Sequence, residues 1–214
     1  MLTWFSDLMK EGLELGFALT NSYGLAIILL TIVIRIILWP LTVSQTRATQ
    51  KMQMLNPEQE ELKKKYKNNP ERLNKEMMEL WKKHKVNPLS GCLLLLVQFP
   101  FLIAFFRVLY DYNYTGPASF LWLPHLGQPD PFYILPVLAG VTTYLQTRLT
   151  TPGMSSGAEG SQNFMLYFMP ALITYISLRF AAGLALYWVV SNAVGIAQHY
   201  LTPRPKVRKG EASS

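Results

Sequence analysis

Five long apolar segments dominate this chain of 214 residues and restrict what it can fold into. They cover residues 23–41, 89–109, 132–147, 164–180 and 183–201. A helix needs about 20 mostly apolar residues to cross a bilayer, and the third and fourth segments are shorter than this. Only 15% of the residues are charged, against about 25% in a soluble domain. The pattern therefore predicts an all-α polytopic membrane protein with five transmembrane helices.

Lysine and arginine are unevenly distributed between the loops, and this bias orients the predicted helices. Segment 44–88 holds eleven of these cations and the tail 202–214 holds four, whereas segment 110–131 holds none. Cytoplasmic loops carry the excess of positive charge in membrane proteins. We therefore expect segment 44–88 and the tail in the cytoplasm and the N-terminus outside, which requires an odd number of spans.

The first twenty residues differ from a secretory signal. They lack its positively charged start and its small-residue cleavage site. Leu2, Phe5, Met9 and Leu13 recur near helical spacing, so we expect an amphipathic interfacial helix on the extracytoplasmic side. The predicted organisation is a helix at 1–20, a first span at 21–43, a cytoplasmic helical hairpin at 44–88, four further spans at 89–201 and a basic cytoplasmic tail at 202–214.

Segment 44–88 is polar but carries two signals for the start of a helix. Asn56-Pro57-Glu58 and Asn69-Pro70-Glu71 each combine a capping residue, a proline and an acid in the first turn. The short connection between the two runs favours antiparallel helices that pack along narrow apolar stripes. The hairpin is either a solvated spacer or a docking arm for a partner or an anionic headgroup surface. Because narrow stripes bury little area, we expect it to be the most mobile ordered part.

Arg35 lies inside the first apolar segment, twelve residues after Tyr23, or about 18 Å below the outer boundary. An arginine at the centre of a spanning helix costs about 2.5–3.5 kcal/mol, and none of the five segments holds an acid that could pair with it. Two interpretations remain. Arg35 snorkels to the cytoplasmic interface near Trp39, or it faces a wet cavity that marks a path for a polar or charged guest.

Further polar side chains fall within the predicted spans. Thr31 lies one turn before Arg35 and on the same face. The others are Gln98, Gln146, Ser191 and Asn192. A hydroxyl and several amides would hold water around the guanidinium without cancelling its charge, so such a pocket would attract an acidic guest. Hydrogen bonds between helices would explain each polar residue equally well. Prolines at 100, 136 and 170 could each kink a span.

The chain offers little sign of catalysis. It has no HExxH, no glycine-rich phosphate loop and no paired acids within a span. Gly153-Met154-Ser155-Ser156-Gly157 fits GxSxG by spacing, but it belongs to a Gly/Ser-rich stretch with no histidine nearby. The single cysteine, Cys92, excludes a disulfide scaffold and a cysteine-based zinc site. We therefore expect neither an enzyme nor a cofactor or metal. A small-molecule or ion transporter that uses Arg35 is the alternative, although it predicts internal repeats that are not visible here.

Four stretches resemble the YidC family of membrane protein insertases. They are TIVIRIILWPLTVSQTRATQKMQMLNPE, KVNPLSGCLLLLVQFPFLIAFFRVL, DPFYILPVLAGVTTYLQ and FMPALITYISLRFAAGLALYWVVSN. They follow one another in the family order over roughly residues 20–200, with the hairpin between the first two spans. The resemblance implies a short bacterial form with five helices and a groove that is open to the cytoplasm and the lipid and closed toward the outside.

The resemblance also implies roles for individual residues. Arg35 would be the groove cation, Gln146 and Trp188 would line the groove, and substrates would slide along faces that carry Thr31 and Trp188. The predicted substrate-binding groove comprises Arg35, Thr31, Gln146, Trp188, Gln98 and Asn192. Leu94 and Ala181 stand where the family commonly has proline, which puts the local geometry of two helix ends in doubt.

The implied function is that of an insertase and membrane chaperone in the bacterial inner membrane. Arg35 would draw the acidic or polar tail of a nascent segment into the groove, and the apolar part would slide against the first and fifth spans into the bilayer. The expected substrates are nascent membrane proteins. The candidate partners are the Sec translocon, the ribosome and anionic lipid. The net charge of +7 also favours an anionic partner, either lipid headgroups or RNA.

Overall fold

The computed structural model describes residues 2–84, 86, 103–109, 116–150 and 164–203, and most of these residues are helical. The helices are α1 (Leu2–Thr20), α2 (Tyr23–Ile37), α3 (Trp39–Met54), α4 (Asn56–Lys65), α5 (Pro70–Lys83), α6 (103–109), α7 (Ile134–Thr150), α8 (Met169–Arg179, preceded by the π-helical turn Phe164–Phe168) and α9 (Ala182–Leu201). The described residues contain no β-strand beyond one isolated bridge between Phe120 and Leu123. The third, fourth and fifth predicted spans correspond to α7, α8 with its π-turn, and α9.

Taken alone, none of the helices among the described residues combines the length and the hydropathy that a membrane crossing requires. Helices α2 and α3 meet this requirement together, although the chain bends by 65° between them.

The bend divides the first predicted span, which the sequence analysis treated as one apolar run. Helix α2 ends at Ile37, and Pro40 is the second residue of α3. Proline lacks an N–H and its ring collides with the carbonyl four residues earlier, so an unbroken helix through this point is disfavoured. As a result Arg35 lies in the last turn of α2.

Two of the three prolines predicted to kink a span lie among the described residues, and neither acts as a simple interior kink. Pro136 is the third residue of α7, where a missing N–H costs nothing. Pro170 is the second residue of α8 and directly follows the π-helical turn. The third candidate, Pro100, lies outside the described residues.

The apolar core lies where α1, α2, α6 and α9 meet. Its fully or nearly fully buried side chains include Met9, Leu13, Tyr23, Ile27, Phe105, Leu109, Leu126 and Tyr187. Helix α1 packs closely on α2, because a Cβ at Gly16 would lie only 2.9 Å from the Cβ of Ala26.

The loop before α7 closes one end of this core and fixes the start of two helices. The carbonyls of Gln128 and Leu126 accept hydrogen bonds from the N–H groups of Ala182 and Gly183, at 2.7 and 2.9 Å. These N–H groups belong to the first turn of α9, which has no partners for them within the helix.

Helices α4 and α5 form the predicted hairpin. The Asn69 side chain accepts a hydrogen bond from the N–H of Arg72 at 3.1 Å, which confirms it as the cap of α5. The matching prediction for Asn56 is wrong. Asn56 is the first residue of α4, the preceding Leu55 already has a helical backbone, and no side chain caps this end. Helix α3 therefore runs into α4 with little interruption.

Candidate functional site

Arg35 is buried and held by α9. Its side chain is only 9% exposed, and its Nε and Nη2 both donate to the hydroxyl oxygen of Ser191, at 3.0 and 2.5 Å. The backbone carbonyl of Arg35 accepts a hydrogen bond from Nε2 of Gln198 at 3.1 Å. Helix α9 thus contacts both the side chain and the backbone of this residue.

These contacts give the direction in which the Arg35 side chain points. Helices α2 and α9 run parallel, since Ile27 lies beside Gly183 and Arg35 lies beside Ser191. With this pairing Ser191 stands level with Arg35, so the guanidinium extends sideways from α2 to α9. The side chain of Gln198 reaches the carbonyl of Arg35 from two turns further along α9. The buried contact with Ser191 does not favour snorkelling toward Trp39.

The charge of Arg35 has no ionic partner among the described residues. No carboxylate there lies within ion-pair distance of the guanidinium. The nearest compensation is the negative end of the α2 dipole, because Arg35 lies in the last turn of that helix. A guanidinium has five N–H donors, and the described residues accept from only two of them. The remaining donors have no acceptor in the part of the chain that the structure describes.

A second polar cluster joins α9 to α7. Nε1 of Trp188 donates to the hydroxyl of Thr143 at 3.0 Å. Nδ2 of Asn192 donates to Thr143 at 2.9 Å and to Thr142 at 3.2 Å. We call these four residues the α7–α9 clasp. Since Ser191 and Gln198 face α2, α9 presents polar side chains to two neighbours at once.

Gln146 lies one turn beyond the clasp on α7. Its Oε1 is buried and has no hydrogen-bond partner. A Cβ on Gly195 would come within 2.6 Å of its Nε2, so the missing side chain of this glycine provides the room that the amide occupies. Gln45 on α3 is likewise buried, and neither its Nε2 nor its Oε1 has a partner. Buried amides of this kind normally bind water or another polar group.

The structure brings together most, but not all, of the predicted groove residues. Arg35 is held on the side of α9 that faces α2, whereas Trp188 and Asn192 bind α7 on another side of α9. Gln146 lies on α7 beside Gly195. Thr31 is 1% exposed, and its hydroxyl donates to the carbonyl of Ile27 at 2.6 Å within its own helix. Gln98 and Leu94 lie outside the described residues.

Sequence reasoning missed three polar residues of the site, namely Thr142, Thr143 and Gln198. Gln198 carried one usable signal, because it stands two helical turns after Ser191 and on the same face of an apolar helix. The two threonines carried a weaker one, as adjacent hydroxyls in an otherwise apolar segment.

An apolar cleft of about 470 Å³ lies next to the clasp. Its walls come from α6, α8 and α9 and comprise Ile103, Phe106, Arg107, Ile173, Ile176, Ser177, Phe180, Leu184 and Trp188. Trp188 therefore borders both surfaces, with its indole N–H in the clasp and its ring in the cleft. No group of three or more His, Cys, Asp or Glu side chains in the described ranges is arranged to hold a metal ion.

These features define a class of protein: a polytopic helical membrane protein with a buried cation between two of its helices. The chain belongs to the 60Kd inner membrane protein family, whose model matches residues 15–209. Membership places it in the bacterial inner membrane.

Relatives of known function point to one activity. Membrane protein insertase YidC 2 of Bacillus anthracis is 43% identical over 99% of this chain and 80% of its own length. Membrane protein insertase YidC of Fusobacterium nucleatum is 41% identical over 93% of this chain and 97% of its own length. The crystal structure of an active YidC insertase with its first transmembrane domain resolved superposes with a TM-score of 0.70 at 26% identity. That match covers 94% of this chain and 47% of the crystallised one, so the chain spans about half of its length.

The comparisons confirm the resemblance to the YidC family and the predicted all-α membrane fold. They give no support to the transporter alternative, because the relatives named above are insertases.

Proposed function

We propose that this chain inserts hydrophobic segments of nascent membrane proteins from the cytoplasm into the bilayer and acts as a chaperone for them. The route is a hydrophilic, positively charged groove around Arg35. The observation that carries the proposal is a buried guanidinium whose charge and remaining donors have no partner among the described residues, in a chain whose relatives are insertases.

The groove lowers the cost of moving a polar tail across an apolar barrier. An acidic tail would lose its water in lipid, and the free N–H donors of Arg35 replace part of that hydration. Attraction between opposite charges is strong where water is scarce, and arginine remains charged at any physiological pH. Gln45 and Gln146 supply further polar contacts along the way, because the buried amide oxygen of each has no hydrogen-bond partner among the described residues.

The apolar part of the substrate needs a different surface, and the cleft beside Trp188 provides one. Its lining is mostly aliphatic and aromatic, and it is formed by α6, α8 and α9. The sequence expectation placed the sliding surface on the first and fifth spans. The cleft supports the fifth span as part of this surface, through Leu184 and Trp188, and adds the second and fourth spans to it.

The mechanism requires neither a nucleotide nor a covalent intermediate, so we infer that the chain is not an enzyme.

The orientation follows from charge and from α1. One side of α1 packs on the core, while Trp4, Leu8, Leu15 and Leu19 form an exposed apolar stripe, which suits a helix in the outer membrane interface. The loop over the start of α9 then closes the outer end of the groove. Helices α4 and α5, and the basic tail 202–214, lie in the cytoplasm.

The hairpin α4–α5 is the candidate surface for partners. The end of α4 exposes Lys64 and Lys65, and Arg72 at the start of α5 is also exposed. Such a surface suits anionic lipid headgroups or ribosomal RNA. We propose lipid and the ribosome as contacts of the hairpin and the tail, and the Sec translocon as a partner of the spans.

The test compares two substrates that differ only in the translocated tail, one with aspartates and one with asparagines at the same positions. In proteoliposomes, Arg35→Ala should abolish insertion of the acidic-tailed substrate and leave the protein folded. Arg148→Ala is the matched control, because Arg148 is exposed in the last turn of α7. Full insertion of the acidic-tailed substrate by Arg35→Ala would sink the electrostatic mechanism.

A further inference from the structure

The contact between Arg35 and Ser191 is unusual in its charge balance. Nε and Nη2 lie on one edge of the guanidinium, and both donate to a single oxygen. That edge commonly binds a carboxylate, which forms two parallel hydrogen bonds and cancels the charge. Here a neutral hydroxyl occupies the place of the carboxylate, so the edge is fixed while the charge remains.

The backbone of Arg35 is fixed from the same helix. Its carbonyl is one of the last in α2, where the helix provides no further N–H donors. Gln198 donates to that carbonyl from two turns further along α9. Both Ser191 and Gln198 are buried, at 4% exposure each. The guanidinium is therefore attached at one edge and at its backbone, and its opposite edge has no described protein partner.

We propose that Ser191 is a specificity-determining positioning residue, which holds Arg35 at one edge without neutralising it so that the opposite edge binds the acidic group of a substrate tail. This inference rests on the proposed function and adds the reason why the groove selects acidic tails. A residue that only filled space at this position would affect all substrates alike. A residue that sets the charge and aim of Arg35 affects acidic tails selectively.

The experiment measures the ratio of acidic-tailed to neutral-tailed insertion in proteoliposomes for the full chain and its variants. Ser191→Asp places a carboxylate against the same edge of Arg35, and we expect the ratio to fall about tenfold, while neutral-tailed insertion changes less than about twofold. Ser191→Ala frees the edge, and the ratio should fall about threefold. Ser191→Thr keeps a hydroxyl and should retain the ratio measured for the unmodified chain.

Ser22→Ala is the matched control, because Ser22 is a partly buried serine that precedes α2, makes no capping hydrogen bond with its side chain and does not line the apolar cleft. It should leave the ratio unchanged. Thermal unfolding in detergent verifies that each variant folds. If Ser191→Asp does not fold, the Ala and Thr variants decide the question by themselves.

The result that overturns the inference is an equal loss for both substrates, or no change in the ratio, in Ser191→Ala and Ser191→Asp. If Arg35→Ala still abolishes acidic-tailed insertion in the same assay, the proposed function survives and only the role of Ser191 is wrong. If Arg35→Ala is also fully active, the proposed function itself fails.

Discussion

The hairpin α4–α5 and the body formed by α2, α7 and α9 are both helical, but they are held by different kinds of contact. The hairpin is organised locally. The cap of α5 is three residues from its partner N–H, and the hydroxyl of Tyr66 reaches Glu76 only ten positions away. In the body, Ser191 and Gln198 reach Arg35 across 156 and 163 positions.

The two regions also bury different groups. Among the described residues of α4 and α5, only Gln59 and Met77 are buried, so most of the hairpin's charge is exposed to solvent. The body buries a cation, hydroxyls and amides between its helices. Exposed ion pairs contribute little to stability, whereas a buried polar group without its partner is costly. Single substitutions should therefore act locally in the hairpin and globally in the body.

The largest expected effect comes from removing a helix cap in the body. Asp130 is 2% exposed, and its carboxylate accepts hydrogen bonds from Leu135 N–H at 2.7 Å, Phe132 N–H at 3.0 Å and Trp122 Nε1 at 3.2 Å. Asp130→Ala leaves these donors without their acceptor, and the free energy of unfolding should fall by about 2–3 kcal/mol. Chemical unfolding in detergent measures the loss.

The corresponding change in the hairpin is Asn69→Ala, which removes the cap of α5. It should cost about 1 kcal/mol, and hydrogen exchange should detect it only in α5. Asp7→Ala removes an exposed acid of α1 and serves as the control with no expected change. Equal and global losses for Asp130→Ala and Asn69→Ala would contradict the distinction between the two regions.

A smaller effect is expected from the α7–α9 clasp. Asn192→Ala removes the donor shared by Thr142 and Thr143. Hydrogen bonds between membrane helices average about 0.6 kcal/mol and reach about 1.7 kcal/mol, so the free energy of unfolding should fall within that range. The hairpin comparison is Glu58→Ala, which removes the 3.7 Å contact with His84. Because both of those side chains are partly exposed, the change should be smaller than for Asn192→Ala. A larger loss for Glu58→Ala would reverse the ranking.

The same distinction explains what the sequence could predict. Asn69 with Pro70 is a signal read within four residues, and it located the start of α5 correctly. The apolar segments and the lone cation at Arg35 were also visible, because hydropathy and charge are properties of short windows. The contacts of Arg35 with Ser191 and Gln198 could not be predicted from the sequence. Nothing in a short window indicates which residue 156 positions away will accept a hydrogen bond. The break at Leu38 was missed for another reason: Pro40 lies inside an apolar run, and hydropathy outweighed its effect on the backbone.

The smallest expected effect is also the only stabilising one, and it concerns the start of α9. The start of this helix is fixed by contacts with a loop distant in sequence, and the prediction tests whether a local substitution can stabilise it further. Helix α9 begins at Ala182 on loop carbonyls, and Ala181 stands where the resemblance leads one to expect proline. Ala181 has φ −51° and ψ 132°, which proline adopts readily. Phe180 before it is extended, with φ −104° and ψ 171°, as a residue before proline must be. The Ala181 N–H donates to no acceptor within the described ranges. Ala181→Pro should therefore raise the free energy of unfolding by about 0.4–1 kcal/mol, through a less flexible unfolded chain.

Phe180→Pro is the contrasting variant, because it removes the N–H that donates to Ile176 O at 3.2 Å, and it should destabilise the protein. A loss of stability in Ala181→Pro would mean that the loop contacts require a freedom at this position that the backbone angles do not reveal.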